Sequence, residues 1–286
     1  MRSSILRRLL LVVITIVAGG LVSATLVRCA PGFGADERQL DSRLSSDTIQ
    51  AIQNAHADER KVIVFFFASV CRTLRGDFGV SRSLNRPVRQ LLQERAGVTA
   101  ALASKGLGLA WFAAALVVFA TWFARTPALG LPVALLSGTL LCLPAGVLAL
   151  LAILLNQPAY MVIAFIVYPK VHRYLSNLVE AVRGMPHILT ARAKGTSESR
   201  VFLWHVVPVI KREVLALAGV SIGIAISAAI PVEALCGVPG IGQLTWQAAL
   251  ARDLPLLNNV AMLVIGCVVL ANSGADLLGE EPRRPA

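Results

Sequence analysis

Long apolar segments without charges are the feature that most constrains the fold of this chain. Charged residues make up only 15% of its 286 residues, whereas 56% are hydrophobic. The charges cluster at residues 2–8, 36–95, 170–213 and 280–284 and almost vanish between these blocks. A bilayer imposes such a distribution, because a charge at mid-membrane costs several kcal/mol. The sequence therefore predicts an all-α integral membrane protein with about six transmembrane helices.

Six segments are long and apolar enough to form these helices. A bilayer core of about 30 Å takes roughly 20 helical residues. Arginines within residues 1–8 keep the N-terminus in the cytoplasm by the positive-inside rule, and basic residues are again frequent in residues 180–210. The predicted spans are 9–27, 99–124, 128–155, 159–177, 213–235 and 257–278.

The order of these spans predicts the organisation of the chain. With an N-terminus inside, the loop 180–210 and the C-terminus also lie in the cytoplasm. The predicted parts are a cytoplasmic N-terminus (1–8), transmembrane helix 1 (9–27), an extracytoplasmic segment (28–98), a five-helix transmembrane domain (99–280) and a cytoplasmic tail (281–286).

Three features of the composition allow other interpretations. The first span could be a signal peptide, but Arg28 occupies a position before Cys29 where cleavage needs a small residue. The net charge of +11 would suit a nucleic-acid-binding protein, yet the basic residues lie beside apolar runs and indicate topology instead. The five cysteines show no zinc-binding spacing. A disulfide among Cys29, Cys71 and Cys236 remains open.

The loop 180–210 carries helix start and stop signals. Pro186 favours the first turn of a short helix, and Gly195 suits the left-handed position that ends one. Thr196 or Ser197 then caps a second short helix, and Pro208 begins the fifth span. The sequence predicts two short helices that meet at a glycine bend on the cytoplasmic side.

The second short helix is predicted to present a docking ridge. Val201, Trp204 and His205 have i, i+3, i+4 spacing, which places side chains on one face of an α-helix. Such a ridge could contact another protein.

Two motifs in this loop resemble a known family. Residues 191–195 (Ala-Arg-Ala-Lys-Gly) and 205–208 (His-Val-Val-Pro) resemble the coupling loop of binding-protein-dependent ABC importer permeases. In that family a Pro follows a Gly by thirteen residues, as Pro208 follows Gly195 here. The first motif is similar to the dipeptide/oligopeptide/nickel branch. Leu189 stands where the family motif begins with Glu.

Further matches to that branch lie along most of the chain. They are residues 30–32 (Ala-Pro-Gly), 75–81 (Arg-Gly-Asp-Phe-Gly-Val-Ser), 232–233 (Val-Glu), 237–244 (Gly-Val-Pro-Gly-Ile-Gly-Gln-Leu), 251–255 (Ala-Arg-Asp-Leu-Pro), Asn272 and Asp276.

The resemblance implies a permease subunit that moves peptides or a related small solute across a bacterial inner membrane by alternating access. It implies a second homologous permease subunit, two ABC ATPase subunits that use ATP and Mg²⁺, and an extracytoplasmic solute-binding protein as partners in the lipid bilayer. This chain would bind no cofactor, metal or nucleic acid. It lacks a Walker A sequence and so would be no enzyme itself.

The resemblance also implies sites for ATPase coupling, and the sequence adds candidates for the outer side. The coupling residues would be Ala191, Arg192, Ala193, Lys194, Gly195, Val201, Trp204, His205 and Pro208. A pathway or outer gate is predicted at Glu233, Gly237, Pro239, Gly240 and Gly242, and an outer-face contact at Arg252 and Asp253.

Simpler roles exist for several of these residues. Glu233 could reach the membrane interface rather than face a pathway, and Gly195 could be an ordinary helix stop. Asn272 and Asp276 share a face of the sixth helix and fit helix packing better than substrate contact.

Two other functions compete with transport. A membrane scaffold could keep the permease fold without transporting. An intramembrane enzyme would need a metal motif, a serine motif or opposed aspartates within the spans, and the sequence contains no HExxH or GxSxG.

Overall fold

The computed structural model describes residues 10, 14–15, 17–22, 25, 72, 75–124 and 127–279. Within these residues the secondary structure is helical, apart from one isolated bridge between Val80 and Pro87. The helices are α1 (Val88–Ala124), α2 (Pro127–Cys142), α3 (Ala145–Leu154), α4 (Ala159–Arg183), α5 (Pro186–Ala193), α6 (Glu198–Val201), α7 (Val207–Cys236), α8 (Ile241–Leu250) and α9 (Leu254–Gly279). A π-helical turn, Phe202–Val206, joins α6 to α7.

Three of the described helices are long and apolar enough to cross a membrane. They are Val88–Phe123, Glu198–Cys236 and Pro255–Ala275, and a fourth span results if the bent pair α2–α3 is one span. At most 39% of the most apolar window of each helix is buried inside the chain, so much of its apolar surface is left for lipid. The prediction of an all-α membrane protein is confirmed.

The predicted span 128–155 is not one helix. α2 and α3 are bent by 102° at a break after Cys142. Pro144 is the N-cap of α3 and has extended backbone (φ −61°, ψ 143°). A proline has no N–H group for a helix that precedes it and disfavours helical backbone at the residue before it, here Leu143. The break therefore follows from the position of this proline.

Other predicted segments differ in extent. α1 starts at Val88, well before the predicted residue 99. α4 covers the predicted 159–177 and continues to Arg183, but this helix does not reach the apolarity of the three long ones. The described residues between 10 and 25 are helical, whereas all of 28–71 and all of 281–286 lie outside the described residues.

The chain divides into two compact units. One comprises residues 1–94 with 245–266, and the other residues 95–244 with 267–286. In the second unit, α4 packs against α2, α3 and α7 around a core of small and β-branched side chains. Close helix packing explains two glycines: a Cβ on Gly106 of α1 would lie 2.7 Å from the Cβ of Ile163, and one on Gly219 of α7 would overlap Ala275 of α9.

Candidate functional site

The candidate coupling loop (residues 180–210) begins as the sequence predicts. α5 starts with Pro186 in its first turn and ends at Ala193. Gly195 has a φ of +76°, and the amide of Thr196 donates to the carbonyl of Ala191 (3.2 Å), which closes the turn. The predicted short helix and its glycine bend are confirmed.

The second predicted helix is not a separate element. Ser197 occupies the N-cap position and Glu198 the first turn of α6, as predicted. The hydroxyl of Ser197 makes no capping hydrogen bond, although its carbonyl accepts the amide of Val201 (2.9 Å). α6 then continues through the π turn into α7, with Pro208 in the first turn of α7. One short helix therefore precedes the glycine bend, and the transmembrane helix itself begins after it.

The π turn overturns the predicted docking ridge. Buried positions in this segment are Val201, Val206 and Ile210, a spacing of five and then four residues. A π turn accommodates one extra residue, so the face defined by α-helical spacing is not kept. Val201 is fully buried, Trp204 is 74% exposed and His205 is half-buried. The prediction that these three side chains share one face is wrong.

An aromatic side chain at the end of α1 fastens the candidate coupling loop to the bundle. Trp122 is 2% exposed, and the guanidinium carbons of Arg183 and Arg192 lie 4.7 and 5.2 Å from its ring centroids. The ring of Phe202 lies 5.4 Å from that of Trp122. Cation–π contacts of this kind are worth about 2 kcal/mol when shielded from water.

Arg192 also holds the start of α6. Its Nη2 donates to Oε2 of Glu198 (3.1 Å), and its Nε lies 3.1 Å from Oε1 of the same carboxylate. Both side chains are about three-quarters buried. The two elements on either side of the glycine bend are thus joined by one guanidinium.

The remaining predicted coupling residues divide into buried and exposed positions. Ala191 is buried against the bundle with Ile188. The exposed ones are Ala193, Lys194, Gly195 and Pro208, and the large apolar side chains of Leu189, Leu203 and Trp204 are exposed in the same loop. Exposed large apolar side chains in the same loop as a basic residue such as Lys194 are typical of a protein-binding surface.

Glu233 organises the glycine-rich loop (residues 237–243). The amide of Gly242 donates to Oε2 of Glu233 (2.6 Å), and the backbone carbonyl of Glu233 accepts the amide of Val238 (3.0 Å). Gly237 ends α7 with a φ of +66°. A Cβ on Gly240 would overlap the Glu233 carboxylate, so a larger residue here would force that carboxylate to move.

The side chain of Glu233 is enclosed by its own chain. Its side chain is 0% exposed, and its Oε1 has no hydrogen-bond partner among the described residues. Glu233 therefore does not reach the membrane interface, and its role in a pathway or outer gate stays a prediction. Gly240 and Gly242 are buried beside it, whereas Gly237 and Pro239 are exposed.

Arg252 and Asp253 do not form a joint surface. Arg252 is exposed with a φ of +52°, but Asp253 is 1% exposed. Oδ2 of Asp253 accepts hydrogen bonds from the hydroxyl of Ser81 (2.5 Å) and from the amide and hydroxyl of Ser83 (2.9 and 2.8 Å). The Asp253 carboxylate is thus an internal acceptor and not an outer-face contact.

The remaining predictions concern Asn272, the cysteines and a metal site. Asn272 lies beside Gly223 of α7, which agrees with helix packing. Cys236 has a free thiol, while Cys29 and Cys71 lie outside the described residues. Across the described part of the chain, no group of three or more His, Cys, Asp or Glu residues could hold a metal ion.

Comparison with protein families identifies the chain. Residues 106–279, more than half of the sequence, match the family described as binding-protein-dependent transport system inner membrane component. The chain belongs to this family. The match includes α2 to α9 and the second half of α1, with the candidate coupling loop and the glycine-rich loop inside it. A member of this family with long apolar helices is a multi-pass protein of the inner membrane.

Several similar proteins are named as peptide or dipeptide permeases. A putative peptide permease protein of Brucella ovis is 31% identical over 105 residues, which are 37% of this chain and 33% of that protein. The dipeptide transport system permease protein of Escherichia coli K12 is 33% identical over 103 residues, 36% of this chain and 30% of that protein. These matches cover about a third of the length of the relatives.

A longer match exists at lower identity. A putative peptide transport system permease protein of Brucella abortus is 28% identical over 262 residues, which are 82% of this chain and 83% of that protein.

Sequence reasoning missed two groups of this site. Trp122 of α1 contacts Arg183 and Arg192 of the candidate coupling loop, which are remote from it in sequence, although an aromatic residue at the end of a span was a usable signal. The pairing of Asp253 with Ser81 and Ser83 spans about 170 residues and left no local pattern.

Proposed function

We propose that this chain is the transmembrane permease subunit of an ATP-driven ABC importer that moves peptides or a related small solute by alternating access. The family match and the peptide permease names of its relatives support the class of transporter. The single observation that carries the mechanism is the candidate coupling loop. It presents a short helix and a glycine bend, joined to the transmembrane bundle by buried aromatic and ionic contacts.

The exposed side of that loop is proposed to dock an ATPase subunit. Trp204, at 74% exposure, is a large aromatic side chain without cover from this chain, and Leu189 and Leu203 are exposed in the same loop. Aromatic side chains that become buried on association dominate many interface energies. Ala193, Lys194 and Gly195 form the rest of this surface.

The assembly follows from this role. The loop, the N-terminus and the C-terminus would face the cytoplasm, where two ATPase subunits bind and hydrolyse ATP with Mg²⁺. A second homologous permease subunit would complete the pathway, and an extracytoplasmic binding protein would deliver the solute. This chain itself would bind no cofactor. Closure of the ATPases would move α5, and packed helices would switch between discrete arrangements rather than bend smoothly.

The experiment is a co-purification of the permease with its ATPase subunits from solubilised membranes. Trp204→Glu is expected to abolish recovery of the ATPase, because it places a charge where an apolar contact forms. Trp246→Glu, at an exposed tryptophan of α8 outside the loop, is the matched control and should leave recovery unchanged. Equal recovery with both variants, at equal amounts in the membrane, would remove the docking assignment.

Transport itself has a separate test. The complex reconstituted in vesicles is expected to accumulate a short peptide only when ATP and a binding protein are both present. Normal assembly without uptake of any peptide tested would favour a scaffold that keeps the fold without transporting.

A further inference from the structure

α1 contacts a functional loop at each of its ends. Within one compact unit it runs without a break from Arg95 and Thr99 to Trp122. At 1.5 Å per residue, the distance from Thr99 to Trp122 is about 35 Å, slightly more than the thickness of a bilayer core. One helix therefore bridges the two sides of the membrane domain.

The Trp122 end of α1 contacts both sides of the glycine bend. Arg192 of α5 lies with its guanidinium carbon 5.2 Å from the Trp122 ring centroid. Phe202, in the π turn after the bend, lies 5.4 Å from Trp122 and 5.6 Å from Phe119 between ring centroids. A displacement of α5 would therefore press on α1 through packed rings, which have little room to yield.

The Thr99 end of α1 contacts the glycine-rich loop. The hydroxyl oxygen of Thr99, which is 8% exposed, accepts the amide of Ile241 (2.8 Å) and lies beside the Glu233 carboxylate. Nη1 of Arg95 lies 3.5 Å from Oε1 of Gln243. The loop is thus held by α1 on one side and by Glu233 of α7 on the other.

The face of α1 between these ends is built of small residues. Ala103, Gly106, Ala110 and Ala114 recur at helical spacing, and each of the alanines is buried. One large side chain also lies between the ends, since Nε1 of Trp111 donates to the hydroxyl of Ser221 in α7 (2.9 Å). α1 would therefore move as a rigid body together with this part of α7, by the small sliding movements that packed helices allow.

We propose that α1 is a rigid connector that transmits movement of the candidate coupling loop to the glycine-rich loop, with Trp122 and Thr99 as positioning residues at its two ends. The proposal rests on the proposed function, because ATPase subunits supply the movement. It assigns to Trp122 and Thr99 a role in coupling ATP hydrolysis to the outer side that does not require either residue to contact solute or ATPase.

The test uses the full transporter in membranes, with a reporter cysteine at Pro239, an exposed position of the glycine-rich loop. The five native cysteines are replaced by alanine in this reference chain. A membrane-impermeant maleimide then measures the labelling rate of Pro239→Cys with and without ATP. The reference is expected to change its labelling rate when ATP is added.

Variants at the two ends of α1 are expected to lose this ATP response. Trp122→Ala removes the ring that contacts Arg192 and Phe202, and Thr99→Val removes the acceptor of the Ile241 amide at nearly constant volume. ATPase subunits should still co-purify with both. Trp122→Phe keeps an aromatic face and should restore the response.

The matched control is Phe112→Ala, at a position of the same helix that is 69% exposed, and it should respond like the reference. A full ATP response in both Trp122→Ala and Thr99→Val would overturn the connector role while leaving the proposed function intact. If Trp122→Ala does not assemble, Thr99→Val alone decides by the same criterion. No ATP response in the reference, with ATPase subunits bound, would overturn the proposed function and the connector together.

Discussion

Replacement of Asp253 by asparagine should loosen the start of α9 far more than its small chemical change suggests. Oδ2 of Asp253 accepts three hydrogen bonds, from the Ser81 hydroxyl and from the Ser83 amide and hydroxyl, and Oδ1 accepts the amide of Leu256 (3.2 Å). The side chain is 1% exposed, so water does not replace these partners.

The magnitude follows from the hydrogen bonds lost. A hydrogen bond to a charged group contributes about 1.5–3 kcal/mol and a neutral one about 0.5–1.5 kcal/mol. Three bonds to a neutral amide oxygen therefore lose about 3 kcal/mol in total. The amide NH₂ would also face the Leu256 amide and leave that donor unsatisfied, which costs at least about 1 kcal/mol. The sum of about 4 kcal/mol corresponds to a factor of about 1,000 in a local opening equilibrium.

Amide hydrogen exchange measures this opening directly. Asp253→Asn should lower the protection of the Ser83 and Leu256 amides by about that factor. Asp77→Asn is the matched control, because Asp77 also accepts a backbone amide, that of Gly79 (2.9 Å), but is exposed. Protection of Ser83 and Leu256 that is equal in the two variants would refute the reasoning.

Two glycines give sharper local tests. Gly240→Ala should lower the melting temperature of the purified chain, because its Cβ would overlap the Glu233 carboxylate and force it to move. Gly97→Ala in α1 has open space around the added Cβ and should be neutral or stabilising by about 0.5–1 kcal/mol. Equal melting temperatures of the two variants would contradict the packing argument. Gly195→Ala should weaken the bend by about 1–2 kcal/mol through its positive φ alone, measured as faster exchange of the Thr196 amide, and Gly195→Asn should weaken it less. Identical exchange in both Gly195 variants would contradict the conformational explanation.

Local signals in the sequence predicted the local features of this protein. Pro186 and Gly195 act through their own backbone preferences, so the start of α5 and the bend after it could be placed without knowledge of packing. The apolar spans likewise follow from the cost of charges in lipid. Pro144 carried an equally local signal, but the length of the apolar run 128–155 concealed it.

Features that depend on distant partners could not be placed. The π turn at Phe202–Val206 brings Phe202 against Trp122, a partner about 80 residues away, and this turn removes the shared face expected for Val201 and Trp204. In the same way, the sequence around Asp253 indicated a surface residue, because its partners Ser81 and Ser83 lie about 170 residues earlier in the chain. Tertiary contacts decide the burial of Trp122 and Asp253, and such contacts leave no periodic pattern in the local sequence.

Labelling of a cysteine at Lys194 tests the central claim most directly. Lys194 is exposed at the glycine bend of the candidate coupling loop. In a chain with its native cysteines replaced, Lys194→Cys should react with an impermeant maleimide in inside-out vesicles but not in right-side-out ones. Bound ATPase subunits should slow this reaction, whereas removing them should restore it. Labelling from the outer side, or a rate that is unchanged by the ATPase subunits, would contradict the account.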